Sequence, residues 1–405
     1  MTKSMKVSDE ILKLVPYKAG KPIAETQREY GVEKVYKLAS NENPLGPSPH
    51  ALAVINDAAQ ALHRYPDPAG FELIRAVAKH WNLPPNWISI GNGSNEVIDL
   101  LIRIYCAPGE FILQSAASFV AYAVCAQAAR VRIQNIPLLP GFKTDIEGIT
   151  QRLRERKEAD SIRLVFIANP NNPTGTYVGW NQVDLYLKEF GNDPNVLTVF
   201  DEAYVEFVRA SDYRSLMPEV QKYSSVAILR TFSKVHGLAG LRVGVLVAAP
   251  EVIDLYNRVR NPFNINEIGG KAATAALGDH DFMQKSVEHT WKSLDYFYEE
   301  LNRLKLPFVP SQGNFVLFET KRDVRLLHEA LLRRGIILRP VGNYGFNTLM
   351  RMSVGLEVEN KAAVKALEEA LKEVPELPPR DWAALMPSKN LEGLKPTPVP
   401  SGSGG

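Results

Sequence analysis

LVFIANPNNPTGTYVGWNQVDLYLKEFGNDPNVLTVFDEAY, residues 164–204, is the stretch that decides the fold. It begins and ends on continuous apolar runs, Leu164–Ala168 and Val196–Phe200, each followed at once by polar residues. Between them Asn181–Phe190 reads as an amphipathic helix. Strand, helix and strand in this order make a crossover unit with parallel strands. The runs are apolar throughout rather than alternating, as in a strand covered on both faces. Asn169 and Asp201 stand just past the two strand ends, where open α/β sheets bind ligands.

Working outward, the same pattern recurs. Further strands are expected at Ile88–Gly91, Phe111–Gln114, Val131–Ile136, Val226–Arg230 and Val243–Ala248, with a helix over Asn95–Tyr105. The fold class is therefore α/β: a large domain, residues 51–280, with a mainly parallel sheet flanked by helices. A long helix from Phe282 to Leu304 bridges to a smaller α+β domain, residues 281–374. That domain holds strands at Asn314–Glu319, Ile336–Arg339 and Met350–Gly355, with helices between them and after Glu357. Residues 1–50 read as an arm with a short amphipathic stretch at Asp9–Leu14, followed by the turn-rich KLASNENPLGPSP. Residues 375–405 are rich in Pro and Gly and end in a linker-like SGSGG.

Composition sets the outer bounds. The 405 residues are 45% hydrophobic and 23% charged, ordinary values for a globular protein with a large core. Lys plus Arg number 47 and Asp plus Glu 45, so the net charge of +2 gives no footprint for a nucleic-acid partner. No run of about 20 apolar residues is present, so no membrane span is expected. The two cysteines, Cys106 and Cys125, sit in apolar stretches and read as reduced, buried thiols of a cytoplasmic protein.

Four motifs carry chemistry. Asp201-Glu202-Ala203-Tyr204 puts a carboxylate at a strand end, where a helix cap is the alternative reading. Thr231-Phe232-Ser233-Lys234 leads into His236-Gly237-Leu238-Ala239-Gly240-Leu241-Arg242, a lysine and an arginine in one Ser- and Gly-rich loop. Desolvation and neighbouring cations suit such a lysine to imine formation and base catalysis, and Arg242 to a phosphate clamp; two solvated cations are the plainer alternative. Turn chemistry explains the prolines and glycine of Asn169-Pro170-Asn171-Asn172-Pro173-Thr174-Gly175, but does not demand its three asparagines. Gly91-Asn92-Gly93-Ser94-Asn95-Glu96 lies between strand and helix, with Ser94 or Asn95 as the cap and free N–H groups for an anion. No metal-binding cluster is expected.

Taken together, these motifs and LASNENPLGPSP at 38–49 and RYPDP at 64–68 resemble the fold-type I pyridoxal-5′-phosphate aminotransferases, within them the histidinol-phosphate aminotransferase family. The resemblance runs from about Leu14 to Leu371, and TFSKVHGLAGLRVG at 231–244 is its most specific part. It implies that Lys234 carries the cofactor's aldehyde and later shuttles the substrate proton. Asp201 faces the pyridine nitrogen, and Asn172 and Tyr204 bond the phenolic oxygen. Ser94, Asn95, Ser233 and Arg242 hold the phosphate. Phe119 stacks on the ring where many relatives have Tyr, so a hydroxyl is missing there. Toward the substrate it implies Arg351 for the α-carboxylate, Tyr17 and Arg339 for a phosphate end, Asn43 from the 38–49 stretch, and Tyr65 from the neighbouring chain of a homodimer with shared active sites.

The function so implied is transamination between histidinol phosphate and 2-oxoglutarate, giving imidazole-acetol phosphate and glutamate. An aromatic amino acid aminotransferase on the same scaffold is the nearest alternative, and Val341–Leu349 is where the sequence distinguishes them least. A phosphothreonine decarboxylase and a non-catalytic cofactor-binding domain stand further off.

Overall fold

The computed structural model describes residues 7, 9–12, 14, 21–157 and 161–378; Tyr17 and the tail from residue 379 lie outside the described residues. Its strands are β1 (Tyr36–Lys37), β2 (Ile88–Asn92), β3 (Phe111–Ser115), β4 (Arg132–Ile136), β5 (Ile162–Ala168), β6 (Leu197–Asp201), β7 (Val226–Thr231) and β8 (Val243–Ala248), then β9 (Phe308–Val309), β10 (Phe315–Glu319), β11 (Ile336–Ile337), β12 (Arg339–Pro340) and β13 (Leu349–Ser353).

Seven of them form one sheet in the order β2-β8-β7-β6-β5-β3-β4. The pairs from β4 through β7 are parallel, while β8 runs antiparallel to both β7 and β2. The reason is in the connection. Parallel neighbours need a crossover of a dozen or more residues, usually a helix. β7 and β8 are joined only by residues 232–242, which hold no α-helix. That loop is consequently stranded at the carboxyl end of the parallel strands, and it carries Lys234 and Arg242. Both faces of the sheet are covered. Val165, Ile167, Phe200 and Ile228 pack into one apolar layer, while Leu164, Phe166, Val199 and Leu229 pack into the other. This is why the strand sequences do not alternate.

The second sheet, β12-β13-β10-β9, is antiparallel. Met350, Met352, Val316 and Phe318 face a core with Leu294, Phe297 and Leu301 of the helix His280–Arg303 and with Leu367 of Glu357–Glu373. Period-two alternation then puts Arg351 and Ser353 on the opposite face. Arg351 stands directly across from Arg339, so the two side chains leave the same face of the sheet.

Two expectations are corrected here. Ile336–Arg339 is not one strand: β11 pairs parallel with β1, and β12 pairs with β13. Pro340 has no N–H for a ladder and sits where a proline is tolerated, on an edge strand. The segment before residue 50 is also more ordered than an arm, with a helix at Ile23–Tyr30 closed by Gly31 in the left-handed region. Only Thr26 of that helix is buried, so its sequence gave no apolar period to read. Among the described residues no helix is long and apolar enough to cross a membrane.

Candidate active site

A cleft of about 250 Å³ opens where the strands of the large sheet end, roofed by the face of β13 that carries Arg351. Ser94, Asn95, Phe119, Asn172, Asp201, Tyr204, Ser233, Lys234, Arg242 and Arg351 all line it. They come from six separate chain segments. β2, β3, β5, β6 and β7 each deliver their residues just at or after a carboxyl end, the position predicted for ligands in such sheets.

One end of the cleft is built for an anion. The helix Gly93–Tyr105 begins there, and its first-turn N–H groups have no partner within the helix. Its cap is Asn92, whose N–H donates to Glu96 Oε2 at 2.6 Å; Ser94 and Asn95 therefore lie inside the first turn rather than at the cap. Arg242 adds the cation, with Nη1 donating to Ser233 Oγ at 3.4 Å and to the Ala239 carbonyl at 3.1 Å. Two glycines make room. A Cβ at Gly93 would come within 2.3 Å of Arg242 Nη2, and one at Gly244 within 2.5 Å of Ser94 N. Gly93 also has φ +72, which other residues rarely adopt.

In the middle of the cleft stands Asp201, a buried carboxylate. Tyr122 donates its hydroxyl to Oδ2 at 2.7 Å and the Ala203 N–H donates to Oδ1 at 3.1 Å. Burial pushes its carboxyl above the usual range, and these two donors and the charge of Lys234 work against that rise. Lys234 Nζ donates to the carbonyls of Ser40 and Asn41, at 3.3 and 3.2 Å, and lies 5.5 Å from the Tyr204 ring centroid. Tyr204 Oη accepts from Asn41 Nδ2 at 2.9 Å and Asn172 Nδ2 at 3.3 Å. Burial raises its hydroxyl's pKa, and the nearby Arg351 charge opposes this. Arg351 is itself buried over the Phe315 ring. It donates to Asn172 Oδ1 and, at 2.7 Å, to the Ala39 carbonyl.

The other asparagines of the 169–175 loop have structural work. Asn169 bonds the Val178 N–H and carbonyl, and Asn171 reaches Ala117 O and Thr174 Oγ1. Asn43 does not line the cleft either, since its Nδ2 donates to Val235 O and Ser286 Oγ behind the lysine loop. Arg339 is outside the cleft wall, beside Arg351 on the same sheet face. Tyr65 is 82% exposed, stacked on Phe263 with ring centroids 4.7 Å apart. Sequence reasoning missed Tyr122 and Asn41. The first was hidden in an apolar helix and the second in a run of turn formers.

His236, two residues beyond Lys234, lines a separate cavity with His80, Trp81 and Arg230. It is buried, and its Nδ1 has no hydrogen-bond partner among the described residues. Burial above all, with the Arg230 charge, pushes its imidazole down to about 3. A histidine depressed below its unfolded value of about 6.5 supports folding above that pH and loses that support as pH falls toward the folded value. His236→Phe is accordingly expected to flatten the acid limb of stability: melting temperature should drop less between about pH 7 and about pH 4.5, which span the upper part of that window, than in the wild type. An equal drop in thermal melts would assign the acid sensitivity elsewhere.

Comparison with known proteins agrees with this geometry. Over 370 residues the chain is 53% identical to a histidinol-phosphate aminotransferase of Bdellovibrio bacteriovorus, covering 91% of this chain and 99% of that one. A histidinol-phosphate aminotransferase of Anaeromyxobacter sp. is 43% identical over 366 residues, covering 90% and 99%. Among solved structures, the histidinol-phosphate aminotransferase of Sinorhizobium meliloti in complex with pyridoxal-5′-phosphate matches with a TM-score of 0.83 at 26% identity, over 92% of this chain and 99% of that chain. The family described as aminotransferase class I and II matches residues 33–367. With an amine, a buried carboxylate and an anion cradle meeting at the strand ends, and these likenesses over nearly its whole length, the chain belongs to the class I and II aminotransferases.

Proposed function

We propose that this enzyme is a pyridoxal-5′-phosphate-dependent histidinol-phosphate aminotransferase of histidine biosynthesis, with 2-oxoglutarate as the amino acceptor. The observation that carries the reading is the 53% identity, over 91% of the chain, to a protein of that activity. The residues also fit the cofactor. The cradle of helix start, Ser233 and Arg242 suits its phosphate, and Asp201 and Lys234 lie in the same cleft. When bound, pyridoxal phosphate supplies an aldehyde that condenses with amines and a ring that takes up an electron pair.

The protein's own residues do the rest. Arg351 would bind the α-carboxylate of 2-oxoglutarate bidentately, a geometry lysine does not offer, and its guanidinium suits equally the phosphate of histidinol phosphate, which carries no carboxylate. Lys234 would take the proton from the substrate's Cα and pass it to the carbon of the cofactor's aldehyde group, on the other side of the amino nitrogen, which is general acid–base work by one positioned amine. Asp201 would face the ring nitrogen as the carboxylate that keeps it protonated. Tyr204 and Asn172 would hold the phenolic oxygen, and Phe119 would cover the ring face by stacking. The exposed Tyr65–Phe263 pair, with Leu62 and Phe71 also exposed, favours a homodimer in which Tyr65 reaches the partner's cleft. In the same reading the enzyme is cytoplasmic, and Cys106 and Cys125, free in the structure, stay reduced.

Arg339 tests the donor. It shares a sheet face with Arg351, so the two guanidinium groups can pair together with the phosphate dianion of histidinol phosphate, whereas the carboxylate of an amino acid is served by Arg351 alone. Arg339→Ala is expected to lower kcat/KM for histidinol phosphate by about 10–100-fold. For phenylalanine, which brings no phosphate, the loss should stay within about threefold. The measurement is an amino-donor panel of histidinol phosphate, phenylalanine and tyrosine with 2-oxoglutarate. Equal losses would favour an aromatic aminotransferase.

A further inference from the structure

Residues 38–42 run between the small sheet and the cleft, and Asn41 bonds to both sides. Toward the sheet, its N–H donates to Ser353 Oγ at 2.9 Å, its Oδ1 accepts from the same hydroxyl at 2.7 Å, and its carbonyl accepts from Asn314 Nδ2 at 3.1 Å. Toward the cleft, its Nδ2 donates to Tyr204 Oη at 2.9 Å and its carbonyl accepts from Lys234 Nζ at 3.2 Å. The residue is 1% exposed and holds φ +56, a left-handed conformation that asparagine tolerates better than most.

The neighbouring bonds give this node something to transmit. Leu38 is pinned to β13 by the Ser353 N–H, which donates to its carbonyl at 2.9 Å. Between these two anchor points lies Ala39, whose carbonyl accepts from Arg351 Nη2. A carboxylate arriving at Arg351 competes for the N–H groups now given to Ala39 and Asn172. Any resulting movement of the Ala39 carbonyl has only residue 40 to absorb it before Asn41.

We infer that Asn41 is a positioning residue that couples carboxylate binding at Arg351 to the hydroxyl of Tyr204 and the amine of Lys234. The inference rests on the aminotransferase reading above and adds a route by which substrate capture prepares the proton-transferring amine. A ligand shifts such an arrangement only by the difference in its interaction with the two states, and the Arg351 bonds provide that difference.

The test uses full-length protein loaded with pyridoxal phosphate and succinate as an unreactive dicarboxylate. What is measured is the pH midpoint of the visible absorption band, with and without succinate. Asn41→Gly removes the amide but keeps the left-handed backbone; Ser353→Ala loosens the sheet-side clamp alone. Asp201, Arg242 and Arg351 in the cleft and Glu42 at its rim are present in every variant, so their direct electrostatic effect remains. In the wild type succinate is expected to move the midpoint by about half a unit or more. Asn41→Gly should keep less than half of that movement while binding succinate within about threefold of wild type. Ser353→Ala should fall between them. A full shift retained in Asn41→Gly overturns the inference. Should that variant not fold, a full shift in Ser353→Ala overturns it and a reduced one supports it. A wild type that takes up no pyridoxal phosphate would instead overturn the aminotransferase reading, and this inference with it.

Discussion

Lys234→Ala is expected to lower the rate of transamination by at least about 10⁴-fold, the largest effect of any single substitution in this protein. The cleft holds a single lysine, and the other cations lining it, Arg242 and Arg351, are guanidinium groups. A guanidinium does not give up its proton at neutral pH, so neither can replace an amine that must be neutral to accept one. For the same reason Lys234→Arg should be as inactive as the alanine variant. The fold should survive both. The carbonyl of Asn41 keeps its bond from Asn314, and Asp201, which loses the charge of Lys234, keeps the Tyr122 hydroxyl and the Ala203 N–H. Pyridoxal phosphate should still bind, weakly, through the helix start and Arg242. Single-turnover assays with histidinol phosphate, alongside equilibrium dialysis of the cofactor, separate these effects. A Lys234→Ala protein that turns over within about tenfold of wild type would remove the lysine from the chemistry.

The lysine was legible in the sequence because its loop contradicts its surroundings. Thr231–Gly244 interrupts two apolar strands with cations and glycines that no core needs. The large sheet was legible for the converse reason. Strands covered on both faces must be apolar throughout, so their runs stand out, and β8 was found as easily as the parallel strands. Its antiparallel direction was not legible as such. It follows from a loop too short for a crossover, which becomes visible only when strand order is known. Local order failed where burial was slight, as in the helix Ile23–Tyr30. The cap of Gly93–Tyr105 was misplaced because Asn92, Ser94 and Asn95 are chemically interchangeable as caps. Only the reach of Glu96 back to the Asn92 N–H selects among them. Tyr122 and Asn41 were beyond reach for a different reason. Tyr122 lies 79 positions from Asp201, and Asn41 163 positions from Tyr204, and nothing local in either stretch marks the partner. Arg339 shows the opposite case: the structure keeps it off the cleft wall, yet the β12–β13 register puts it beside Arg351 on the same sheet face.

Asp201→Asn is expected to separate stability from catalysis in this enzyme. The carboxylate is 5% exposed, and its burial raises its pKa despite the Tyr122 hydroxyl and the Ala203 N–H. A carboxyl whose folded pKa lies above its unfolded one binds protons more tightly when folded. Its contribution to stability is therefore present at low pH and is lost as pH rises through the folded value, leaving a net cost for the buried anion at neutral pH. Asparagine removes that anion, keeps nearly the same shape and still offers an oxygen to Tyr122. The cofactor-free Asp201→Asn protein should thus melt at a higher temperature than wild type near neutral pH, and the difference should shrink on acidification. Catalysis should move the other way. With no anion to hold the ring nitrogen protonated, the electron pair released at the substrate's Cα has nowhere favourable to go. Preorganised charge of this kind commonly accounts for several kcal/mol, so kcat should fall by about 10³-fold. Thermal melts of cofactor-free protein across pH, set beside steady-state rates of the loaded enzyme, measure both halves. A variant that is less stable at neutral pH would mean the carboxylate's hydrogen bonds outweigh its burial. One that keeps near-normal turnover would mean that Asp201 does not face the cofactor's nitrogen.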